Sequence, residues 1–80
     1  MSPETRNLGL NWINASITAD ADHPLDNDRF NAFVDAIIKG KYQLNPDDIS
    51  ALIIESDKDW SDEVCDNFVE KWFTKYENRL

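Results

Sequence analysis

Acidic side chains are the most numerous residues of this sequence that could do chemistry, and one run of them is regularly spaced. Asp62, Asp66 and Glu70 stand four residues apart, and Glu63 and Glu77 lie close to the same line. On a helix, residues four apart lie one above the other at about 6 Å. The spacing therefore predicts a row of negative charge along one side of a helix. We call these five residues the acidic ridge.

A row of carboxylates of this kind can bind a basic protein surface. Like charges at this spacing destabilise an isolated helix by about 0.2–0.5 kcal/mol per pair, and the helix dipole favours only those in the first turn. The repeat approximates the spacing of phosphates on one nucleic-acid strand, which is the physical basis of nucleic-acid mimicry. We predict that the ridge binds a partner protein, together with Asp57, Asp59 and Trp60 of the preceding loop. The competing interpretation is a solvated face that only keeps the protein soluble.

Two aspartate-rich stretches, which begin at Asp20 and Asp57, have a spacing reminiscent of a calcium-binding EF-hand loop. That loop requires glycine at its sixth position and a bidentate glutamate at its twelfth. The first stretch has Leu25 and Asn31 there, and the second also lacks both required residues. The sequence therefore predicts no metal site, and it contains no motif for a cofactor.

Catalysis also finds little support in the residue types present. His23 is the only histidine and Cys65 the only cysteine. A cysteine nucleophile needs a nearby base or cation that lowers the pKa of its thiol, and nothing in the sequence places His23 beside Cys65. The two glycines, Gly9 and Gly40, are too far apart to form a phosphate-binding loop. We predict a protein that acts by binding and not as an enzyme.

The composition predicts one small folded domain over residues 1–80. Three Trp, two Tyr, four Phe and a hydrophobic fraction of 41% are sufficient for a packed core. Sixteen acidic and eight basic residues give a net charge of -8, which repels nucleic acid and anionic membranes and attracts basic protein surfaces. A single cysteine, no leader pattern and no apolar run near ~18 residues together predict a cytoplasmic protein.

The acidic ridge must be positioned by a helix. The spacing of apolar residues and the helix start signals predict an all-α fold, a small bundle of about four helices. The last helix carries the ridge, begins at Asp59 or Ser61 and runs toward Arg79. Trp60 packs at its start and is expected to be the most exposed tryptophan. The apolar side of this helix comprises Val64, Cys65, Phe68, Val69, Trp72, Phe73 and Tyr76.

Two further helices have clear start signals. One is expected to begin with Asp26 as its N-cap and to end at Gly40, which would take the left-handed conformation of a C-terminal cap. The next begins with Asn45 as the cap and Pro46 at the first helical position. If this short helix folds back beside the last one, Asp47 and Asp48 join the ridge. The core sides are Phe30, Phe33, Val34, Ile37 and Ile38, and then Ile49, Leu52 and Ile53.

Residues 3–18 have two interpretations. Ser2 and Pro3 are typical of a helix start, whereas the alternation of apolar residues also suits an extended strand with a bulge. We favour a helix with two apolar sides, which would have to be covered twice. This leads to an alternative function, an assembly subunit or homodimer that acts through apolar contacts of this helix. The two sides are Leu8, Trp12 and Ala15, and Leu10, Ile13 and Ile17.

In size and charge alone, the chain resembles bacterial nuclease-immunity proteins and phage-encoded inhibitors that mimic DNA. It carries no signature motif of either. The resemblance implies a protein that binds a basic, nucleic-acid-binding surface of a partner and inhibits or regulates that partner, without contacting nucleic acid itself.

Overall fold

Four helices make up the part of the chain that the computed structural model describes, residues 1–16 and 24–80. Helix α1 spans Pro3–Ala15, α2 Pro24–Lys39, α3 Pro46–Glu55 and α4 Asp62–Asn78. These two ranges contain no strand, so the prediction of a small all-α bundle is confirmed and the first segment is a helix. In the described ranges, no helix combines the length and the apolar character needed to cross a bilayer.

Helix α1 begins where its start signal predicts. The Thr5 backbone N–H donates a hydrogen bond to the hydroxyl of Ser2 at 3.2 Å, which satisfies one of the free donors of the first turn. The helix buries one side centred on Gly9, Trp12 and Ile13, while Leu8 is 36% exposed. The two expected apolar sides are therefore not separate, because Trp12 of one and Ile13 of the other are both fully buried. Leu10 packs against the same core, and Ile17 lies outside the described residues.

Helix α2 begins at Pro24 and not after Asp26, so the prediction of Asp26 as the N-cap is wrong. Proline suits the first helical position because its missing N–H would have no partner there. Asp26 lies in the first turn instead, where it is buried and forms an ion pair with Arg29 at 3.8 Å. The predicted core residues of α2 are buried except for Ile38, which is 43% exposed.

The end of α2 is a Schellman turn displaced by one residue from its predicted position. The Lys41 N–H donates to the Ile38 carbonyl at 3.0 Å, and the Tyr42 N–H donates to the Ile37 carbonyl at 3.1 Å. Lys41 is the left-handed residue, with φ of 55°, whereas Gly40 has no positive φ. The expected left-handed Gly40 is therefore wrong, because these two hydrogen bonds place the strained position at the next residue.

Helix α3 begins as predicted, with a capping box. The Asp48 N–H donates to the Asn45 side chain at 3.2 Å, and the Asn45 N–H donates to the Asp48 carboxylate at 3.0 Å. The Tyr42 hydroxyl donates to the same carboxylate at 3.0 Å, and this hydrogen bond raises the pKa of Tyr42. The Asp48 carboxylate is therefore occupied by the start of α3 itself.

Trp12 is the point at which three helices meet. Its ring centroid lies 4.9 Å from that of Phe30 and 6.0 Å from that of Phe33 on α2. On α4, it lies 5.5 Å from Phe68 and 5.2 Å from Trp72. Helix α3 packs against both α1 and α4 and adds Ile49, Leu52 and Ile53 to the core. The packing of α3 against α4 determines what lies beside the acidic ridge.

Candidate partner-binding surface

The five residues of the acidic ridge all lie on α4 and are exposed. The helix is started by Ser61, whose hydroxyl accepts a hydrogen bond from the Val64 N–H at 3.3 Å. At about 100° per residue, the five positions fall within about 100° of the helix circumference. None of the five carboxylates forms an ion pair with a residue of the described ranges. The ridge is thus a solvent-exposed row of charge that no cation of residues 1–16 and 24–80 neutralises through an ion pair.

Two lysines of α4 and the three arginines of the described residues have interactions away from the acidic ridge. Lys71 and Lys75 leave α4 on its other flank, with their amines 5.5 Å and 4.3 Å from the centre of the Trp72 ring. Cations over the face of a tryptophan ring are attracted by its π electrons. The arginines form ion pairs as Arg6 with Glu55, Arg29 with Asp26, and Arg79 with Asp35.

A furrow runs between α3 and α4 along the edge of the acidic ridge. It consists of two hollows of about 360 Å³ and 340 Å³, which share Ser50 and Asp66 as lining residues. Asp47 of α3 lines the first hollow, opposite the ridge, whereas Asp48 does not. The ridge residues of the furrow are Asp62, Asp66, Glu70 and Glu77. Its apolar lining residues are Ile53, Ile54, Cys65, Val69 and Phe73.

Ile54 and Phe73 are surface residues of this furrow that the sequence analysis did not select. Ile54 is 78% exposed although it follows the buried Ile53, and Phe73 is half-buried beside Tyr76. Neighbouring residues of a helix point about 100° apart, so a short helix cannot bury both isoleucines against one neighbour. The pair Ile53-Ile54 was therefore the feature of the sequence that could have indicated an exposed apolar residue on α3. The furrow combines this apolar surface with the acidic ridge.

The loop before α4 places its three predicted site residues differently. Asp57 is exposed and has a φ of 55°, a left-handed position that aspartate tolerates better than most residues, and Asp59 is also exposed. Trp60 is the most exposed of the three tryptophans, as predicted, but its ring packs 5.1 Å from that of Phe68. None of the three lines the furrow. Trp60 and Asp57 shape the loop from which α4 starts.

Lys58, in the same loop, holds the end of α1. Its amine donates to the carbonyls of Asn14 at 3.2 Å and Ser16 at 3.1 Å, and it lies 5.8 Å from the centre of the Trp60 ring. Helix α1 has no basic residue in its last turn, although a cation is favourable at that end. Lys58 supplies this cation to the end of α1 from more than forty residues away in the sequence. No local sequence pattern could have predicted the contact.

Replacement of Lys58 by methionine should lower the free energy of unfolding by about 1.5 kcal/mol, because charged hydrogen bonds to two helix-end carbonyls are lost while the apolar stem is kept. Urea unfolding followed by circular dichroism measures the change. Lys39→Met is the matched control, since Lys39 is an exposed cation in the last turn of α2; its loss removes only the helix-dipole effect and should cost about 0.5 kcal/mol. Equal losses in the two variants would show that Lys58 does not cap α1.

Cys65 lies in the furrow in a state unsuited to nucleophilic attack. Burial raises the pKa of its thiol, and the carboxylates of Asp62 and Asp66 raise that pKa further. A nucleophilic cysteine requires the opposite shift. Within residues 1–16 and 24–80, no three His, Cys, Asp or Glu side chains are grouped to hold a metal ion. His23, Asp20 and Asp22 lie outside these ranges.

Comparison of the chain with protein-family models, with curated proteins and with solved structures found no match. The fold and the surface together define a small helical protein with a row of exposed carboxylates, unpaired by any described residue, beside a furrow that has both apolar and acidic lining residues. A fold of this kind does not by itself imply a function.

Proposed function

We propose that this protein binds a basic, nucleic-acid-binding surface of a partner protein and thereby inhibits or regulates that partner. The observation that carries the proposal is the acidic ridge, in which five exposed carboxylates on one side of α4 have no ion-pair partner among the described residues. Lysines and arginines of the partner would supply the missing countercharge. With a net charge of -8, the chain repels nucleic acid itself.

The spacing of the ridge supports competition with nucleic acid. Carboxylates about 6 Å apart on a rigid helix present to a basic surface a charge row similar to that of a phosphate backbone. Such contacts accelerate association and are screened by salt. We place this interaction in the cytoplasm, where a lone cysteine stays reduced.

Affinity capture from the native host, with elution by a salt gradient, tests the proposal. The ridge variant Asp66→Asn, Glu70→Gln, Glu77→Gln is compared with a control variant, Glu4→Gln, Asp28→Asn, Glu55→Gln. All six positions are exposed, and each set of three changes takes the net charge from -8 to -5. The two variants therefore remove the same number of charges from different surfaces. The control also removes the exposed ion pair of Glu55 with Arg6, and an exposed pair of this kind contributes little to stability.

The ridge variant should bind the captured partner about tenfold more weakly than the control variant at low salt, since three exposed charge contacts contribute about 0.5 kcal/mol each. Double-stranded DNA should displace the partner from the wild-type protein. Equal affinity of the two variants, or an affinity that does not change between low and high salt, would contradict the proposal.

The alternative function, an assembly subunit or homodimer that acts through apolar contacts of α1, stays a prediction. Trp12 and Ile13 of α1 are fully buried in the protein's own core, and Leu8 is 36% exposed. A dimer that forms with rising concentration in sedimentation and is unaffected by salt would support it.

A further inference from the structure

The furrow between α3 and α4 offers a partner more than charge. Ile54 exposes 78% of its surface in the hollow that Asp62 and Asp66 also line. Phe73 and Val69 line the adjoining hollow with Glu70 and Glu77. Isolated exposed apolar residues are common on protein surfaces. Here, however, two apolar positions lie in adjoining hollows that share Ser50 and Asp66 as lining residues, with carboxylates in both hollows.

The two apolar positions have a defined separation. Cys65, which lines the same hollow as Ile54, and Phe73 of the adjoining hollow are eight residues apart on α4, which corresponds to about 12 Å along the helix. Side chains seven or eight positions apart on a second helix have nearly the same separation. An extended strand would cover this distance in about four residues and would therefore bring only about half as many side chains to the carboxylates as a helix of the same length.

The charge of the furrow restricts the occupant further. Its lining includes five carboxylates and no lysine or arginine among the described residues. An occupant must therefore bring its own cations to avoid leaving these carboxylates partly desolvated and unpaired. From Asp62 to Glu77 the charged edge extends about 22 Å, the length of a helix of about 15 residues.

We propose that this furrow binds a basic amphipathic helix of the partner. Two apolar side chains of that helix, one above the other at a spacing of seven or eight residues, contact Ile54 and Phe73. Its lysines and arginines pair with the carboxylates on either side. This inference rests on the proposed function and specifies that the partner contributes a helix, which docks in a groove. A flat basic surface of the partner would instead bind through charge alone.

Two synthetic peptides of about 15 residues test the inference. Both contain the same lysines, alanines and two leucines, but the leucines stand seven positions apart in the first peptide and on opposite sides of the helix in the second. Fluorescence anisotropy of the labelled peptides measures their affinities at low salt, and circular dichroism measures their helix content. The first peptide should bind about tenfold more tightly, as expected for burial of an aliphatic side chain, and should become helical on binding.

Protein variants locate the contact. Ile54→Gln should remove most of the difference between the two peptides, whereas Ile38→Gln, at the other exposed isoleucine, on α2, should leave it unchanged. Both positions are on the surface, so thermal unfolding of both variants should stay close to that of the wild type.

Equal affinity for the two peptides, no binding of the first peptide, or equal effects of Ile54→Gln and Ile38→Gln would overturn the inference. These outcomes differ from failure of the proposed function, which is measured by capture of the host partner with the ridge variant. If the furrow recognised charge alone, both peptides would bind with equal affinity, while the ridge variant would still bind the host partner more weakly than its control. That result would contradict this inference and leave the proposed function intact.

Discussion

Replacement of Trp12 by alanine is expected to remove about 4 kcal/mol from the free energy of unfolding. Trp12 is completely buried, and its ring contacts aromatic rings of α2 and α4 at centroid distances between 4.9 and 6.0 Å. The cavity left by the indole ring cannot be filled by the movement of one helix, because the surrounding rings belong to both α2 and α4. A chain of this length has a total stability of about 4–12 kcal/mol, so Trp12→Ala should remove at least about a third of it.

Urea unfolding followed by far-UV circular dichroism measures this loss. Trp12→Phe keeps an aromatic ring and should cost much less, since the indole Nε1 of Trp12 is buried with no hydrogen-bond partner among the described residues. Trp60→Ala is the matched control, because Trp60 is half-buried and contacts Phe68 at one side. If Trp12→Ala stayed within about 1 kcal/mol of the wild type, the aromatic core described above would be incorrect.

The second large effect is expected at Gly9, where α1 lies closest to its neighbours. A Cβ atom at this position would lie 2.7 Å from Cδ1 of Leu52 and 2.9 Å from Cε1 of Phe33. Both neighbours are buried, so neither can move without disturbing the core. Gly9→Val adds three carbon atoms there and should lower the free energy of unfolding by about 3 kcal/mol.

Gly9→Ala separates packing from helix propensity. Alanine favours a helix over glycine by about 1 kcal/mol, but the close contacts should cost more than that, and a net loss of about 1 kcal/mol is expected. Asn11→Val, at an exposed position of the same helix, should change stability by less than about 0.5 kcal/mol. Chemical denaturation of the three variants gives the comparison. A Gly9→Val protein as stable as Asn11→Val would show that α1 does not approach α3 and α2 this closely.

The helix starts that the sequence predicted correctly all depend on local chemistry. Ser2, Asn45 and Ser61 each accept a hydrogen bond from the residue three positions further along, and a cap of this kind acts within one turn. The predictions for Asp26 and Gly40 were wrong by a few residues at most. Several neighbouring residues at each end of α2 suit a cap, and local sequence does not decide which of them takes that position. Asp26 lies instead in the first turn of α2, where its buried carboxylate is 3.8 Å from the partly exposed Arg29 guanidinium.

The features of the candidate binding surface also have two origins, residue order and tertiary packing. Residue order alone determined that the carboxylates of α4 share one side, because the α-helix repeats every 3.6 residues, and it determined the net charge of -8. Tertiary structure decided what lies beside that row. Only the packing of α3 against α4 placed Ile54 next to Asp62 and Asp66, and only the approach of the last loop to α1 gave Lys58 its two carbonyls. Periodicity and capping act over a few residues, whereas these contacts depend on the packing of whole helices.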